Sequence, residues 1–324
     1  MSTAEIFEMI DQFALMGTRR LSITGGEPLI KSNLKEVVFY ARKRGLFVSV
    51  ATNGVLLEKR SDAIRGASSI NMTLDGPEAI HDLQRGDGTF KQTVEGVRKI
   101  QRMNIPLYLN CVLTKHNCNL LDEIVDLAKE LKVKILLQPV FYSAPSHAST
   151  LEGFNKVKFE DQDLANALRK LIALKEIRDG SIMLSKKYYQ QTLDYLTTGN
   201  KMKCSFARKD GALFATISPE GYVTPCNLLV RDKNYLNGRE VGYHRAFFDM
   251  PQLHCGGCIS SLIDVDYLLT LDKEVISNYA GAYIDLLLPS FIKTLWRSPS
   301  RIVDGLPFKI PLNTLKRRFG LTIN

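Results

Sequence analysis

No apolar run approaching the ~18–20 residues that a bilayer-spanning helix needs occurs in the 324-residue chain. The N-terminus carries no basic-then-apolar pattern of a secretory signal. Runs of Arg and Lys interleaved with aromatic residues are absent from the first 270 residues. The excess of 43 basic over 34 acidic side chains, net +9, therefore reads as dispersed surface charge, and no specific nucleic-acid partner is expected. Cysteine is sparse, at six. Six cysteines without a secretory pattern point to a reducing, cytoplasmic setting, where close-set cysteines hold metal more often than they form disulfides. The 45% hydrophobic content is enough for a real core, and the length suits one large domain and a smaller one.

Strand and helix signals alternate from the N-terminus to about residue 140. Apolar Ile6, Phe7, Ile10, Phe13 and Ala14 recur at helical spacing over 3–16, and Gly17 ends that helix. A short buried strand is predicted at 20–24, then a helix over 33–43 closed by Gly45. Further strands are predicted at 46–51, 70–74, 107–113 and 133–139, with helices over 92–103 and 120–131 between the later ones. Polar residues and glycines gather after successive strands: Gly-Gly-Glu, Thr-Asn-Gly, Asp-Gly. Repeated βα units build a parallel sheet or barrel, and ligands bind such folds at the C-terminal strand ends.

The densest of these ends is Ser22-Ile-Thr-Gly-Gly-Glu-Pro28. Gly25 and Gly26 lack a Cβ and let another molecule approach the backbone. Glu27 can accept hydrogen bonds from an ammonium group, and Pro28 stiffens the exit. The set suits a small zwitterion with an amine; it equally suits a tight strand-to-helix turn with a solvated Glu.

With Gly-Gly-Glu-Pro at 25–28, Ala-Thr-Asn-Gly at 51–54, Met-Thr-Leu-Asp-Gly at 72–76, the His81-Asp82 to Phe90 loop and Thr114-Lys-His-Asn117 in this order, residues 1–140 resemble the radical S-adenosylmethionine superfamily. The resemblance implies a partial (β/α)6, TIM-like barrel that binds S-adenosyl-L-methionine. By the same resemblance, Gly25, Gly26, Glu27 and Pro28 hold the methionyl end. Asn53, Thr73 and Asp75 then lie near the cofactor or its cluster, and Asn117 lies near the ribose or the strand-end turn. The family's defining Cys-x3-Cys-x2-Cys loop has no counterpart in the 324 residues, since Cys111 and Cys118 stand far downstream with other spacing. Such a 4Fe–4S cluster is held by cysteine sulfurs, so the chain as given is expected to be inactive. It reads as a fragment of a longer protein or as a homologue that has left radical chemistry. In either case the barrel is expected to miss its first strand and leave an open edge.

Cys204, Cys226, Cys255 and Cys258 form a second constellation. A strand, a Pro-Glu-Gly turn and another strand separate the first two, and Cys255-Gly-Gly-Cys258 supplies two more thiolates. Four thiolates suit zinc or an iron–sulfur cluster, and the spacing leaves both open; scattered core cysteines beside a redox Cys-x2-Cys are the alternative. Within the resemblance, this pattern is similar to the twitch form of the SPASM extension and implies one auxiliary 4Fe–4S cluster. Cys111 and Cys118 read as structural. The predicted organisation is a barrel at 1–142, a linker and packing helices (near 159–177 and 185–197) at 143–200, an auxiliary domain at 201–265 and a basic, amphipathic tail at 266–324. Leu286, Leu287, Phe291, Ile292, Leu295 and Trp296 alternate there with basic residues. That tail suits a packed helix or a segment resting peripherally on an anionic membrane. His81, His116, His147, His244 and His254 have no metal-ligand partner at helical spacing.

The resemblance implies a 5′-deoxyadenosyl radical acting on a peptide or small-molecule substrate, with a reductant such as a flavodoxin or ferredoxin. The alternative is a non-catalytic iron–sulfur or zinc binding or partner protein.

Overall fold

The first helix, α1 (Thr3–Leu15), starts in a capping box. The Ser2 hydroxyl accepts from the Glu5 amide, and the Glu5 carboxylate accepts from the Ser2 amide. It stops at Gly17 (φ 90°), where Thr18 N–H reaches Phe13 O and Gly17 N–H reaches Ala14 O, a Schellman closure that needs the left-handed residue. The computed structural model describes residues 1–140, 160–177, 180–199, 214–230 and 232–251.

Five strands follow in alternation with helices: β1 (Arg20–Ile23), β2 (Phe47–Thr52), β3 (Ser69–Thr73), β4 (Leu107–Leu113) and β5 (Lys134–Pro139). They form one parallel sheet in the order β1-β2-β3-β4-β5, the order expected of successive right-handed crossovers. The connecting helices are α2 (Leu34–Lys43), α3 (Leu57–Arg60), α4 (Glu78–Arg85), α5 (Thr89–Arg102) and α6 (Leu121–Glu130). Among the described residues, no strand pairs with the outer edge of β1.

The sheet has two unlike faces. Val48, Val50, Ile70, Met72, Leu109, Cys111, Ile135 and Leu137 are buried against Val37 and Val38 of α2, Val97 and Ile100 of α5, and Ile124 and Val125 of α6. Register puts Ser22 beside Ser49 and Ser49 beside Ser69, and likewise aligns Thr73 with Asn110 on the other face. There the Ser69 hydroxyl donates to Ser49 Oγ (3.1 Å) and Gln138 Nε2 donates to Asn110 Oδ1 (3.0 Å). Parallel strands covered on both faces by helices are usually apolar throughout; these alternate, leaving a hydrophilic inner face. This corrects the expectation of a buried first strand: β1 is only partly buried and Ser22 is exposed, because β1 lies at the sheet edge and half its side chains face the polar side.

Beyond β5, α7 (Asp161–Glu176) and α8 (Lys186–Thr198) are the two helices expected near 159–177 and 185–197. Between them, Ile182 adds a single parallel rung to Ile135, with Ile135 N–H on Ser181 O (2.7 Å) and Met183 N–H on Ile135 O (2.8 Å). A two-residue antiparallel hairpin, β6 (Thr216–Ile217) with β7 (Val223–Thr224), turns at Gly221 (φ 105°). Two short helices, α9 (Gly238–Val241) and α10 (Tyr243–Phe248), complete the described chain. Among the described residues, no helix is long and apolar enough to cross a membrane.

Candidate functional site at the strand ends

Because all five strands are parallel, the residues after β1, β2, β3 and β4 share one edge of the sheet. At the end of β1, Gly25 holds φ 123°, which a side chain rarely adopts, and a Cβ on Gly25 or Gly26 would meet nothing within 4 Å. The backbone there is open to an incoming molecule. Glu27 is fixed by three donors. Its Oε1 accepts from Leu29 N–H (2.9 Å) and the Thr52 hydroxyl (2.8 Å), and its Oε2 accepts from Asn53 N–H (2.8 Å). The carboxylate thus ties the end of β1 to the end of β2 and caps the single 3-10 turn Pro28–Ile30. Oε2, with this one donor, keeps further acceptor capacity.

The Thr-Asn-Gly end of β2 is packed from behind. Thr93 of α5 donates its hydroxyl to Asn53 O (3.1 Å). A Cβ on Gly54 (φ 84°) would lie 2.6 Å from Met72 Cε, and one on Gly96 of α5 would lie 2.9 Å from Leu57 Cδ1 and 3.2 Å from Gly54 O. Two glycines therefore let α5 press the Asn53 turn towards Glu27.

A second cluster joins β3 to β4. Asp75, only 1% exposed, accepts from Arg85 Nε through Oδ2 (2.5 Å) and from Val112 N–H through Oδ1 (3.0 Å). Its own N–H donates to His81 Nδ1 (3.1 Å). Asn117, fully buried, donates Nδ2 to Asp75 O (2.8 Å) and Val112 O (3.0 Å) and accepts from Thr114 N–H (2.7 Å). Burial holds the His81 imidazole below its ordinary pKa, which keeps Nδ1 available as an acceptor. Asp82 closes the same loop by accepting from Phe90 N–H (2.7 Å) and Gly88 N–H (2.8 Å), and these bonds lower its pKa.

The expected site residues thus fall into two groups. Gly25, Gly26 and Asn53 are exposed beside the half-buried Glu27, above buried Pro28. Asp75 and Asn117 are engaged by the protein itself, and partly buried Thr73 lies on the inner face between the groups. Thr52, Thr93, Gly96 and Arg85 support the arrangement without having been singled out in the sequence. Thr52 and Arg85 lie inside the quoted motifs, whereas Thr93 and Gly96 carry no local signal.

Cys226 follows β7 and is partly buried; Cys204, Cys255 and Cys258 lie outside the described residues, as does the tail. Among the described residues, no three His, Cys, Asp or Glu side chains converge as a metal site. Cys111 is fully buried, with its thiol pushed well above the ordinary range by burial, consistent with a packing role.

The sequence profile of the Radical SAM superfamily matches residues 1–131. That stretch is similar to the radical SAM superfamily. An AdoMet-dependent heme synthase from Methanosarcina barkeri is 33% identical over 153 residues, covering 45% of this chain and 43% of that protein. The match therefore spans less than half of that relative's length. Among solved structures, native anSMEcpe with bound AdoMet superposes with a TM-score of 0.57 at 16% identity, covering 88% of this chain and 89% of that one. Streptococcus suis SuiB bound to precursor peptide SuiA gives 0.55 at 17% identity, covering 78% and 59%. These two likenesses establish shared fold. Within the matched region, the Gly-Gly-Glu turn is the open part of the strand-end edge, and the His81-to-Phe90 loop braces β3 against β4.

Proposed function

We propose that this chain binds S-adenosyl-L-methionine at the β1–β2 edge and is the larger part of a radical SAM enzyme that modifies a peptide or a small metabolite. The carrying observation is the Gly25–Gly26–Glu27 turn, with open backbone beside a carboxylate already oriented by Leu29, Thr52 and Asn53. The exposed turn fits the methionyl amine: Glu27 Oε2 has acceptor capacity left, and the negative charge favours an ammonium. Asn53 and Thr73 flank it, while Asp75 and Asn117 keep the β3 and β4 ends in register. Bound there and reductively cleaved, S-adenosylmethionine would supply a 5′-deoxyadenosyl radical able to take hydrogen from substrate. The precursor peptide bound by SuiB, a protein of the same fold, supports a peptide as the substrate class.

The residues present do not fit the radical-forming cluster, because no Cys-x3-Cys-x2-Cys occurs in the 324 residues. The chain on its own is expected to leave S-adenosylmethionine uncleaved. Joining a segment that carries that loop is expected to start 5′-deoxyadenosine production with a flavodoxin or ferredoxin as electron donor. A second reading, a non-catalytic iron–sulfur or zinc binding protein of this fold, predicts no activity in the joined protein.

Calorimetric titration with S-adenosylmethionine tests the first reading directly. Glu27→Ala should weaken binding at least about tenfold, since a charge-assisted bond and its positioning are worth roughly 1.5–3 kcal/mol. Glu27→Gln should do nearly as badly, because the amide nitrogen would face an N–H donor, that of Asn53 in one orientation and that of Leu29 in the other. Unchanged affinity in both variants, or no binding by the wild type, would remove the proposal.

Cys204, Cys226, Cys255 and Cys258 are proposed to hold one auxiliary 4Fe–4S cluster in a twitch-like domain over 201–265. Anaerobic reconstitution should load about four irons per chain, and Cys226→Ala should abolish the loading. Tight zinc without iron would favour the second reading instead.

A further inference from the structure

Helix α1 touches two parts of the molecule with opposite faces. Thr3, Phe7 and Asp11, at four-residue spacing, meet the βα unit that carries the Gly-Gly-Glu turn. Asn33 Nδ2 donates to Thr3 Oγ1 (2.8 Å), Phe7 stacks on Tyr40 of α2 (3.9 Å between ring centroids, 4° between planes), and the Tyr40 hydroxyl donates to Asp11 Oδ2 (2.8 Å). Asn33 precedes α2 and lies six positions after Glu27 in the chain.

Glu5 and Gln12, seven residues apart, face the hairpin segment. Arg239 places Nε and Nη2 on Glu5 Oε1 (2.9 and 2.5 Å). Helix α10 begins at Gly242 with no side-chain cap of its own. Its first two amides, Tyr243 N–H (2.7 Å) and His244 N–H (3.3 Å), donate instead to Gln12 Oε1. Gln12 is an N-cap supplied from another helix, satisfying donors a helix start otherwise leaves to water. Phe13 packs against Tyr243 and Phe247 beside it.

We infer that α1 couples the hairpin segment, which carries Cys226, to the Gly-Gly-Glu turn, with Gln12 and Arg239 as positioning residues that act on the turn without touching it. One face of α1 is rigidly keyed to α2 and the other to α10. Displacing the hairpin segment therefore releases α1, and with it the packing behind the residues that follow Glu27. Linkage makes the effect reciprocal: whatever tightens the turn also tightens the seat of the hairpin segment.

The test uses the full chain with Gln12→Leu, Arg239→Glu and, as the conservative control, Gln12→Glu, which keeps an acceptor for both amides. Hydrogen exchange is read at Tyr243 and His244, at the turn amides Leu29 and Asn53, and at the core strands β3 and β4. Coupling predicts faster exchange at Tyr243 and His244 and also at Leu29 and Asn53 in the first two variants. The core strands should be unchanged, and Gln12→Glu should restore wild-type exchange at all four amides. A merely local cap predicts change at Tyr243 and His244 alone, and that result overturns the inference. Equal acceleration in β3 and β4 would mean global destabilisation and overturns it too. A second arm, resting on the cofactor reading above, measures S-adenosylmethionine affinity, which should fall about fivefold in Gln12→Leu. Should the wild type bind none, the cofactor reading fails while the exchange arm still decides the coupling.

Discussion

Asn117→Ala should destabilise the protein by about 4–6 kcal/mol, more than a hundredfold in the folding equilibrium. The side chain is fully buried and makes three bonds to backbone groups of two different strand ends. Alanine removes all of them and leaves the Thr114 amide, itself 3% exposed, without its acceptor. Each net bond contributes about 1 kcal/mol, and an orphaned buried donor costs about 1–3 more. Asp75→Asn should cost less, about 1.5–3 kcal/mol: the amide oxygen can still accept from Val112, but Nδ2 then faces the Nε–H donor of half-exposed Arg85, so the charge pairing and its hydrogen bond are both lost. Urea midpoints at constant slope measure both. A shift below that of Asp75→Asn for the Asn117 variant would mean that water replaces the side chain and that the two strand ends are not locked by it.

Gly54→Ala is expected to cost about 2–5 kcal/mol and to weaken the proposed S-adenosylmethionine binding at the same time. The left-handed backbone adds about 1–2 kcal/mol for any side chain. The new methyl would also start 2.6 Å from Met72 Cε, an overpacking of the kind that costs about 1–3 kcal/mol. The neighbouring Asn53 amide is one of the three donors that orient Glu27, so a shifted Gly54 loosens the carboxylate. Adding Met72→Ala should recover the steric part and not the backbone part, a non-additivity that a double-mutant cycle reads out. Full recovery would show that φ at position 54 relaxes freely; no recovery would show that Met72 is not the obstacle.

The alternation of strand and helix was legible because each apolar run is bounded by glycine or a polar turn, and the five strands stand in the order that alternation implies. The boundaries moved for local reasons. Leu46, read as the start of a strand, instead donates its N–H to Ala41 O to close α2 around Gly45 (φ 83°), so β2 starts one residue later. Helix α5 begins at Thr89 because Asp82, seven residues earlier, accepts from the amides at its start. No local capping pattern announces that. The Gly-Gly-Glu turn was read as an amine site or a tight turn. Its carboxylate first performs the structural task of joining β1 to β2, and a single sequence cannot show which donors a carboxylate meets. The contacts of Gln12 and Glu5 with residues more than 230 positions away were beyond any pattern argument, since nothing in a helical stripe names its partner.

That separation has a kinetic meaning. Every rung of the main sheet joins a strand to the next one in sequence, so loop closure is short and each unit can consolidate soon after it leaves the ribosome. The clasp between α1 and Arg239 closes a loop of nearly the whole described chain. Closing so long a loop is expected late in assembly, once the sheet is in place, and opening the clasp leaves that sheet paired. Variation at positions 5, 12 and 239 is therefore expected to change how often the clasp opens locally, with the formation of the sheet almost untouched.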